Sequence, residues 1–332
     1  MPFYFNRDYC HSGESRNPEF WIPGQARNDK RVKKVLILGA KGMLGQELVQ
    51  VFLSDENYEV FGWGSAEIDI SDKKQVEEKI GETRPEIIIN AAAYNAVDKC
   101  EEPGEFEKAK KINGLAPGFL AEIAKKIKIP PRPPFLKGGI RESAIFVHFS
   151  TDYVFDGEKK EGYKENDSPS PISNYGRSKL LGETEVQRVG GRFYLIRLQR
   201  LFGGSARSAT AKKSFFEAML KLAEIKNEME VVDEELANFT FAPDLAERTK
   251  YLVENNLPFG IYHITNEGRP ATWFGAAKIL FEIAGKNIKL VPVPASKFPR
   301  PAKRPKYSVL INTELPPLRN WTEALKESLK QV

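Results

Sequence analysis

Residues 32–53, VKKVLILGAKGMLGQELVQVFL, decide how the rest of this chain is read. Val32 to Leu38 is a short β-branched and aliphatic run, the kind that fills a parallel strand buried on both faces. Gly39-Ala40-Lys41-Gly42-Met43-Leu44-Gly45 follows directly, and the pattern from Gln46 to Leu53 is helical. Strand, glycine-rich turn and helix in that order predict a dinucleotide-binding unit. Gly39 permits the tight turn, Gly42 lets the backbone approach a pyrophosphate, and Gly45 lets the helix lie close on the strand. The helix start offers free N–H groups and a positive dipole end to phosphate oxygens. The spacing is G-x-x-G-x-x-G rather than G-x-G-x-x-G.

The next segments continue the pattern. Tyr58 to Phe61 reads as a second strand ending in Gly62-Trp63-Gly64-Ser65. An acid there would accept from an adenosine 2′-hydroxyl and mark NAD. None stands in it, and Lys41 is placed to meet a 2′-phosphate, so NADPH is expected, with NADH as the alternative and a solvated Lys41 as the plainer reading. Asp69-Ile70 is a plausible adenine-side contact, or else a cap for the helix Lys73 to Ile80. Glu86 to Asn90 is a third buried strand running into Ala91-Ala92-Ala93-Tyr94, small residues that leave room for a cofactor. Asn113 falls in a helical stretch, Lys108 to Lys128, either solvated or holding a carbonyl or water near the site. Ala144 to Phe149 is a fourth strand, and it delivers Ser150-Thr151 to the carboxyl edge where ligands bind in such sheets.

Past that edge the sequence reads STDYVFDG (Ser150 to Gly157) and then Tyr175-Gly176-Arg177-Ser178-Lys179. Of the eleven tyrosines, only Tyr175 has a lysine four positions later. That spacing places phenol and ammonium on one helix face. A neighbouring ammonium favours the phenolate and is expected to lower the Tyr175 pKa, suiting it to move a proton near neutral pH. Alone the pair is a weak signal, and an exposed tyrosine on a solvated helix is the plainer reading. Beside a dinucleotide turn it reads as an acid–base device for a carbonyl.

The glycine turn, Asn90-Ala-Ala-Ala, Ser150-Thr151 and Tyr175-x-x-x-Lys179 together resemble an extended short-chain dehydrogenase/reductase. NAAAYNAVDKCE (Asn90 to Glu101), STDYVFDG and YGRSKLLGE (Tyr175 to Glu183) narrow the resemblance to dTDP-4-dehydrorhamnose reductases. So do Val231-Val232-Asp233, Ala242-Pro243-Asp244-Leu245-Ala246 and Arg300-Pro301-Ala302-Lys303-Arg304-Pro305 with Ser308, and the likeness runs from about Lys33 to the C-terminus. It implies hydride delivery from NADPH to C4 of dTDP-4-dehydro-L-rhamnose, giving dTDP-L-rhamnose, a cell-surface polysaccharide precursor. In that scheme Tyr175 protonates the alkoxide and Thr151 hydrogen-bonds the C4 oxygen. Lys179 lowers the Tyr175 pKa and holds the nicotinamide ribose. The resemblance also implies that Gly42, Met43, Leu44, Asp69, Ile70, Ala93, Tyr94 and Asn95 touch cofactor, beside Gly39, Lys41, Gly45 and Ala92 from the local reading. Val97, Thr151 and Asp152 would lie near the sugar. Mg²⁺ at an oligomer interface is possible by the same resemblance, but no ligands are placed for it.

One position departs from the family. In Gln199-Arg200-Leu201-Phe202-Gly203 an arginine stands where the family usually has tryptophan, so Arg200 is a candidate to meet a sugar hydroxyl or phosphate. A 4,6-dehydratase would carry Glu where Tyr153 stands, so that chemistry lacks its base. Other sugar-nucleotide reductases or epimerases remain alternatives. So does a non-catalytic subunit resembling the partner of methionine adenosyltransferase, although intact Thr151, Tyr175 and Lys179 argue against it.

The fold expected is α/β: a Rossmann-type doubly wound parallel sheet with a smaller mixed α/β C-terminal substrate lobe. The expected division is an N-terminal extension over 1–31, a cofactor domain over 32–200 to which 241–264 returns, and a substrate lobe over 201–332. Arg300, Lys303 and Arg304 are candidates for the diphosphate, since guanidinium forks match phosphate oxygens, with a solvated basic loop equally open. Net charge is +5 over 332 residues, mild for a nucleic-acid binder, and no stretch interleaves basic and aromatic residues. Cys10 and Cys100 form no disulfide framework and fit a reducing cytoplasm. His11, His148 and His263 lack metal-ligand spacing. No run is long enough to span a membrane, and a monomer or homodimer is expected. Residues 1–31 and 129–142 (IPPRPPFLKGGIRE) fit the pattern poorly and look like translated genomic repeat sequence, the second as a surface loop.

Overall fold

The computed structural model describes residues 31–129, 142–208 and 213–330. The expectations for the N-terminal extension, apart from Arg31, and for the interior of the 129–142 insert lie outside these residues. The chain opens as β1 (Lys33–Leu38), α1 (Met43–Leu53), β2 (Tyr58–Trp63), α2 (Lys73–Thr83) and β3 (Ile87–Asn90). These match the predicted alternation because Val35 to Leu38 and Ile87 to Asn90 are buried without a break, as strands covered on both faces must be. Asp72 caps α2 by accepting from the Lys74 and Gln75 N–H groups.

The single helix expected over 108–128 is three pieces: α3 (Pro103–Ala109), a π-helical turn at Lys110–Leu115, and α4 (Ala116–Lys126). Short strands β4 (Lys128–Ile129) and β5 (Glu142–Ser143) then pair antiparallel across the base of the insert. The strand β6 (Ile145–Thr151) leaves in register with β3, its Ala144 N–H held by the carbonyls of Ala124 and Ile127. Next come α5 (Asn174–Val189), capped by Ser173 Oγ, and β7 (Phe193–Leu198). The C-terminal part contains β8 (Leu201–Phe202), α6 (Phe215–Leu222), β9 (Glu228–Val232), β10 (Thr240–Phe241), α7 (Ala242–Glu254), β11 (Gly260–His263), α8 (Trp273–Ile283), β12 (Lys289–Val293) and α9 (Trp321–Lys330).

The six-stranded sheet has the order β11-β7-β6-β3-β1-β2, and every pairing in it is parallel. The chain moves outward from β1 to β2 and then to the other side of β1 at β3. The crevice at the carboxyl ends of β1 and β3 is therefore the topological switch point, where such sheets bind ligands. One face of the sheet packs on α1 and α7 through Leu44, Leu48, Phe52, Leu245 and Leu252. The other packs on α2, α4 and α5 through Val76, Ile80, Leu120, Ala124 and Val186. A separate aromatic core of Phe202, Phe216, Phe239, Phe241 and Trp321 joins α6, α8 and α9. β9 and β12 form their own parallel pair there.

Candidate active site

The glycine turn closes as its sequence requires. Gly39 has φ 77°, and a Cβ there would meet the Ala92 nitrogen at 2.7 Å. A Cβ on Gly45 would stand 2.1 Å from the Gly39 carbonyl oxygen, so only glycine lets α1 sit this close to the turn. Gly42 is the N-cap of α1 but no side chain caps that helix, and no acid stands in its first turn. Its N-terminus thus presents N–H donors and a positive dipole end at the switch-point crevice, beside Met43 and Leu44. Ala91, Ala92 and Ala93 line the edge of β3 opposite. These residues fit a dinucleotide pyrophosphate.

The adenosine end departs from the sequence reading. Gly39 and Ala40 donate to the Trp63 carbonyl, which ties the turn to the end of β2. The chain then folds back so that Glu67 accepts the Gly64 N–H at 2.7 Å. A carboxylate therefore does stand at the end of β2, supplied by a tight turn rather than by the strand itself. Lys41, half exposed, lies 3.8 Å from that carboxylate. Asp69 does not cap α2. It accepts from Ser71 N–H and Oγ, and it is exposed. Ile70 is buried in the core against α2.

Asn113, in the π-helical turn, grips Tyr94 by both backbone groups: Oδ1 accepts its N–H at 2.8 Å and Nδ2 donates to its carbonyl at 3.0 Å. Nδ2 also reaches Ser178 Oγ at 3.0 Å. The π turn supplies the offset that brings Asn113 onto the loop after β3, as such bulges often do at functional sites. The Tyr94 hydroxyl is hydrogen-bonded to Glu105.

Tyr175 and Thr151 come together. The Tyr175 hydroxyl lies 3.4 Å from Asn95 Oδ1, and its ring meets Tyr153 edge-on at 5.6 Å. Val97, Cys100 and Ala109 pack beside it. Burial, with Asp152, Tyr153 and Cys100 adding, pushes the phenol well above its ordinary pKa, and a hydrogen bond with Thr151 opposes this. This corrects the expected depression by Lys179. The Lys179 ammonium donates to the Phe149 carbonyl at 2.6 Å, and burial lowers its pKa to about 8, with Glu183 opposing. The spacing of four residues put both groups on α5, but burial decides the phenol's protonation: it stays neutral and can donate.

Thr151 Oγ1 donates to Asp152 Oδ1 at 3.0 Å and accepts the Tyr153 N–H at 3.2 Å. Asp152 is buried, which raises its pKa against hydrogen bonds from Ser308 and Thr151.

Arg200 is not a free ligand for substrate. Its guanidinium donates to the carbonyls of Ala271 (2.8 Å) and Glu235 (2.7 Å) and stacks on Trp273, 3.8 Å from the ring centroid. Burial lowers its pKa to about 10. Its backbone, at φ 38°, is in the left-handed region, so this clamp also holds a strained position. Arg200→Met is expected to lower stability by about 2 kcal/mol, because the buried Glu235 carbonyl loses its donor and the Ala271 carbonyl keeps only the Ala237 N–H. Urea unfolding measures this, and an unchanged midpoint would contradict the clamp.

Arg304 donates to Asp98 (2.8 Å) and to the Ala302 carbonyl (2.7 Å), and Arg300 is paired with Glu235. Lys303 is exposed. Arg300 and Arg304 line a cavity of 260 Å³ with Glu234, Phe298 and Lys306. Asp152 and Tyr153 are within electrostatic reach of it through Arg200, Arg304 and Glu235. Sequence reasoning missed Glu67, which a tight turn folds back onto Gly64, and Asp98, Glu183 and Glu235, whose partners lie farther along the chain. Among the described residues no group of three or more His, Cys, Asp or Glu side chains is arranged to hold a metal ion, so Mg²⁺ gains no support. No helix among them is long and apolar enough to cross a membrane.

Residues 33–332 match the family described as RmlD substrate binding domain. The spore coat polysaccharide biosynthesis protein SpsK of Bacillus subtilis is 34% identical over 90% of this chain and 97% of its own length. The dTDP-4-dehydrorhamnose reductase of Burkholderia thailandensis is 33% identical over 85% and 91% respectively. Among solved structures, the dTDP-4-dehydrorhamnose reductase of Bacillus anthracis in complex with NADP superposes with a TM-score of 0.80 at 31% identity, covering 90% of this chain and 99% of that one. With its parallel sheet, glycine turn and Thr151–Tyr175 pair, this chain belongs to the RmlD substrate binding domain family, the dTDP-4-dehydrorhamnose reductase branch of the extended short-chain dehydrogenase/reductases.

Proposed function

We propose that the protein reduces the C4 ketone of dTDP-4-dehydro-L-rhamnose to dTDP-L-rhamnose with NADPH. The single observation that carries this is the buried Tyr175 phenol, held above its ordinary pKa and hydrogen-bonded with Thr151, the last residue of β6. A reduced nicotinamide supplies the hydride when bound there. Tyr175 gives its proton to the C4 oxygen as charge develops on it, and Thr151 turns its hydroxyl from Asp152 to hydrogen-bond the same oxygen. Val97 and Asp152 shape the sugar side. Lys179, anchored on Phe149, presents its charge to the ribose hydroxyls. The cofactor rests on residues 32–200 with 241–264 returning to them, and the sugar nucleotide lies against 201–332. Its diphosphate would lie against Arg300, Arg304 and Lys306 in the cavity they share with Glu234 and Glu235, drawing the two arginines from Glu235 and Asp98. The enzyme works in the cytoplasm as a monomer or homodimer.

The cofactor reading rests on Lys41. Its ammonium stands beside the turn that follows β2, but Glu67, 3.8 Å away, repels a 2′-phosphate and suits a ribose hydroxyl. NADPH is favoured over NADH by a modest margin to which Lys41 contributes. The test follows the absorbance of reduced nicotinamide on mixing with dTDP-4-dehydro-L-rhamnose, for wild type and Lys41→Ala. Wild type turns over with both cofactors. The variant is expected to raise the KM for NADPH about tenfold, roughly 1.4 kcal/mol, and to leave NADH almost unchanged. Inert wild type with either cofactor would reject the reductase reading in favour of a non-catalytic subunit. Equal losses with both cofactors would reject only the role of Lys41.

A further inference from the structure

Behind the Tyr175 helix lies a buried charge network that the reaction scheme leaves unused. Glu183 is fully buried, and Arg197 on β7 donates to it twice, Nε to Oε1 at 3.0 Å and Nη2 to Oε2 at 2.7 Å. Ser150 Oγ donates to the same Oε1 at 2.5 Å. Ser150 and Arg197 are register partners on adjacent parallel strands, so both side chains leave the same face of the sheet and converge on one carboxylate. Arg197 also reaches the Glu165 carbonyl at 3.2 Å and His263 Nε2 at 3.4 Å.

The placement relative to the site is specific. Glu183 stands one turn beyond Lys179 on α5, and Lys179 stands one turn beyond Tyr175. Ser150 stands between Phe149, whose carbonyl Lys179 holds, and Thr151. The helix is thus pinned to the end of β6 at two consecutive residues, once by Lys179 and once by Glu183.

We propose, resting on the reductase reading, that Glu183 is a positioning residue: it fixes the Thr151-bearing strand end against α5 and supplies the counter-charge for Lys179. Among the described residues His148 and Glu183 interact with the Lys179 charge, and Arg197 stands behind Glu183 as its ion-pair partner. His148 on β6 is buried, and both burial and the Lys179 charge hold it neutral. Tyr175, on the same helix, has its pKa raised by burial, which favours the uncharged phenol. Glu183 is the group that opposes loss of the Lys179 proton, while burial favours that loss. Removing the carboxylate charge destabilises the ammonium, so Lys179 deprotonates at lower pH. A buried brace with no other role would change stability and leave that titration where it was.

The experiment compares wild type, Glu183→Gln and the Glu183→Gln/Arg197→Met pair, the second keeping the core free of an unpaired charge should the first fold poorly. Two readouts are taken against pH: kcat/KM for ketone reduction, and the Kd of NADPH from nicotinamide fluorescence, which needs no turnover. The alkaline limb of both profiles is expected to move down by about one pH unit, a loss of about tenfold on the alkaline side that is recovered on acidification. A folded variant whose alkaline limbs coincide with wild type in both readouts overturns the proposal. Wild type that binds NADPH yet reduces no ketone would defeat the reductase reading, while the binding profile still judges Glu183.

Discussion

Tyr175→Phe is expected to lower turnover by about 10²–10⁴-fold, the range of a positioned general acid, while NADPH affinity stays within a few-fold of wild type. The substitution removes one hydroxyl and leaves the ring, whose edge-on contact with Tyr153 and packing on Cys100 and Val97 do not need the oxygen. The hydroxyl's partners, Asn95 at 3.4 Å and Thr151, both retain other hydrogen bonds or solvent access, so little stability is lost. No nearby group replaces the lost proton. Tyr153, although adjacent, is held well above its ordinary pKa by burial, and it projects among Arg200, Arg304 and Glu235. Steady-state rates with parallel fluorescence titration of NADPH decide the point. A kcat within tenfold of wild type would remove Tyr175 from the chemistry.

Arg197→Met is expected to destabilise the fold by about 3–5 kcal/mol, because it leaves the buried Glu183 carboxylate without its bidentate ion pair, with only the Ser150 hydrogen bond and the Lys179 charge one turn away to offset it. The pair spans α5 and β7, so its loss loosens the joint between the helix that carries Tyr175 and the sheet. Joining Glu183→Gln to Arg197→Met should recover much of that loss, since two charges replaced together leave none unpaired. Equilibrium urea unfolding of the two singles and the double measures the coupling. Additive losses, or a single-variant loss below about 1 kcal/mol, would mean that the pair does not act as a unit.

The sheet was legible because its signals are local. Ile87 to Asn90 has no polar alternation, which a strand buried on both faces requires, and the structure finds every one of those residues buried. The glycine turn was legible because the Gly45 position has no room for a side chain. Tyr175, Thr151 and Lys179 were singled out as candidates by spacing, by their place after strands and by the family resemblance.

Long-range partners were not legible. Glu67 reaches the end of β2 only after a turn, Asn113 reaches Tyr94 only through a π-helical offset, and Arg200 is locked between Trp273 and two carbonyls from 35 and 71 positions along the chain. The phenol's protonation was misjudged for the same reason. Spacing fixes which groups share a helix face, but a pKa follows from how much water and which charges surround the group. By itself the sequence determined the parallel sheet and the glycine turn, and it named Thr151, Tyr175 and Lys179 as candidates, since those signals lie in hydrophobic pattern, spacing and steric room within a few residues. Tertiary structure alone decided the acid at the β2 end, the captive Arg200, the Glu183–Arg197 brace and the neutral Tyr175. The first depends on a tight turn and the others on burial and on groups drawn from distant parts of the chain, and periodicity carries no information about any of these.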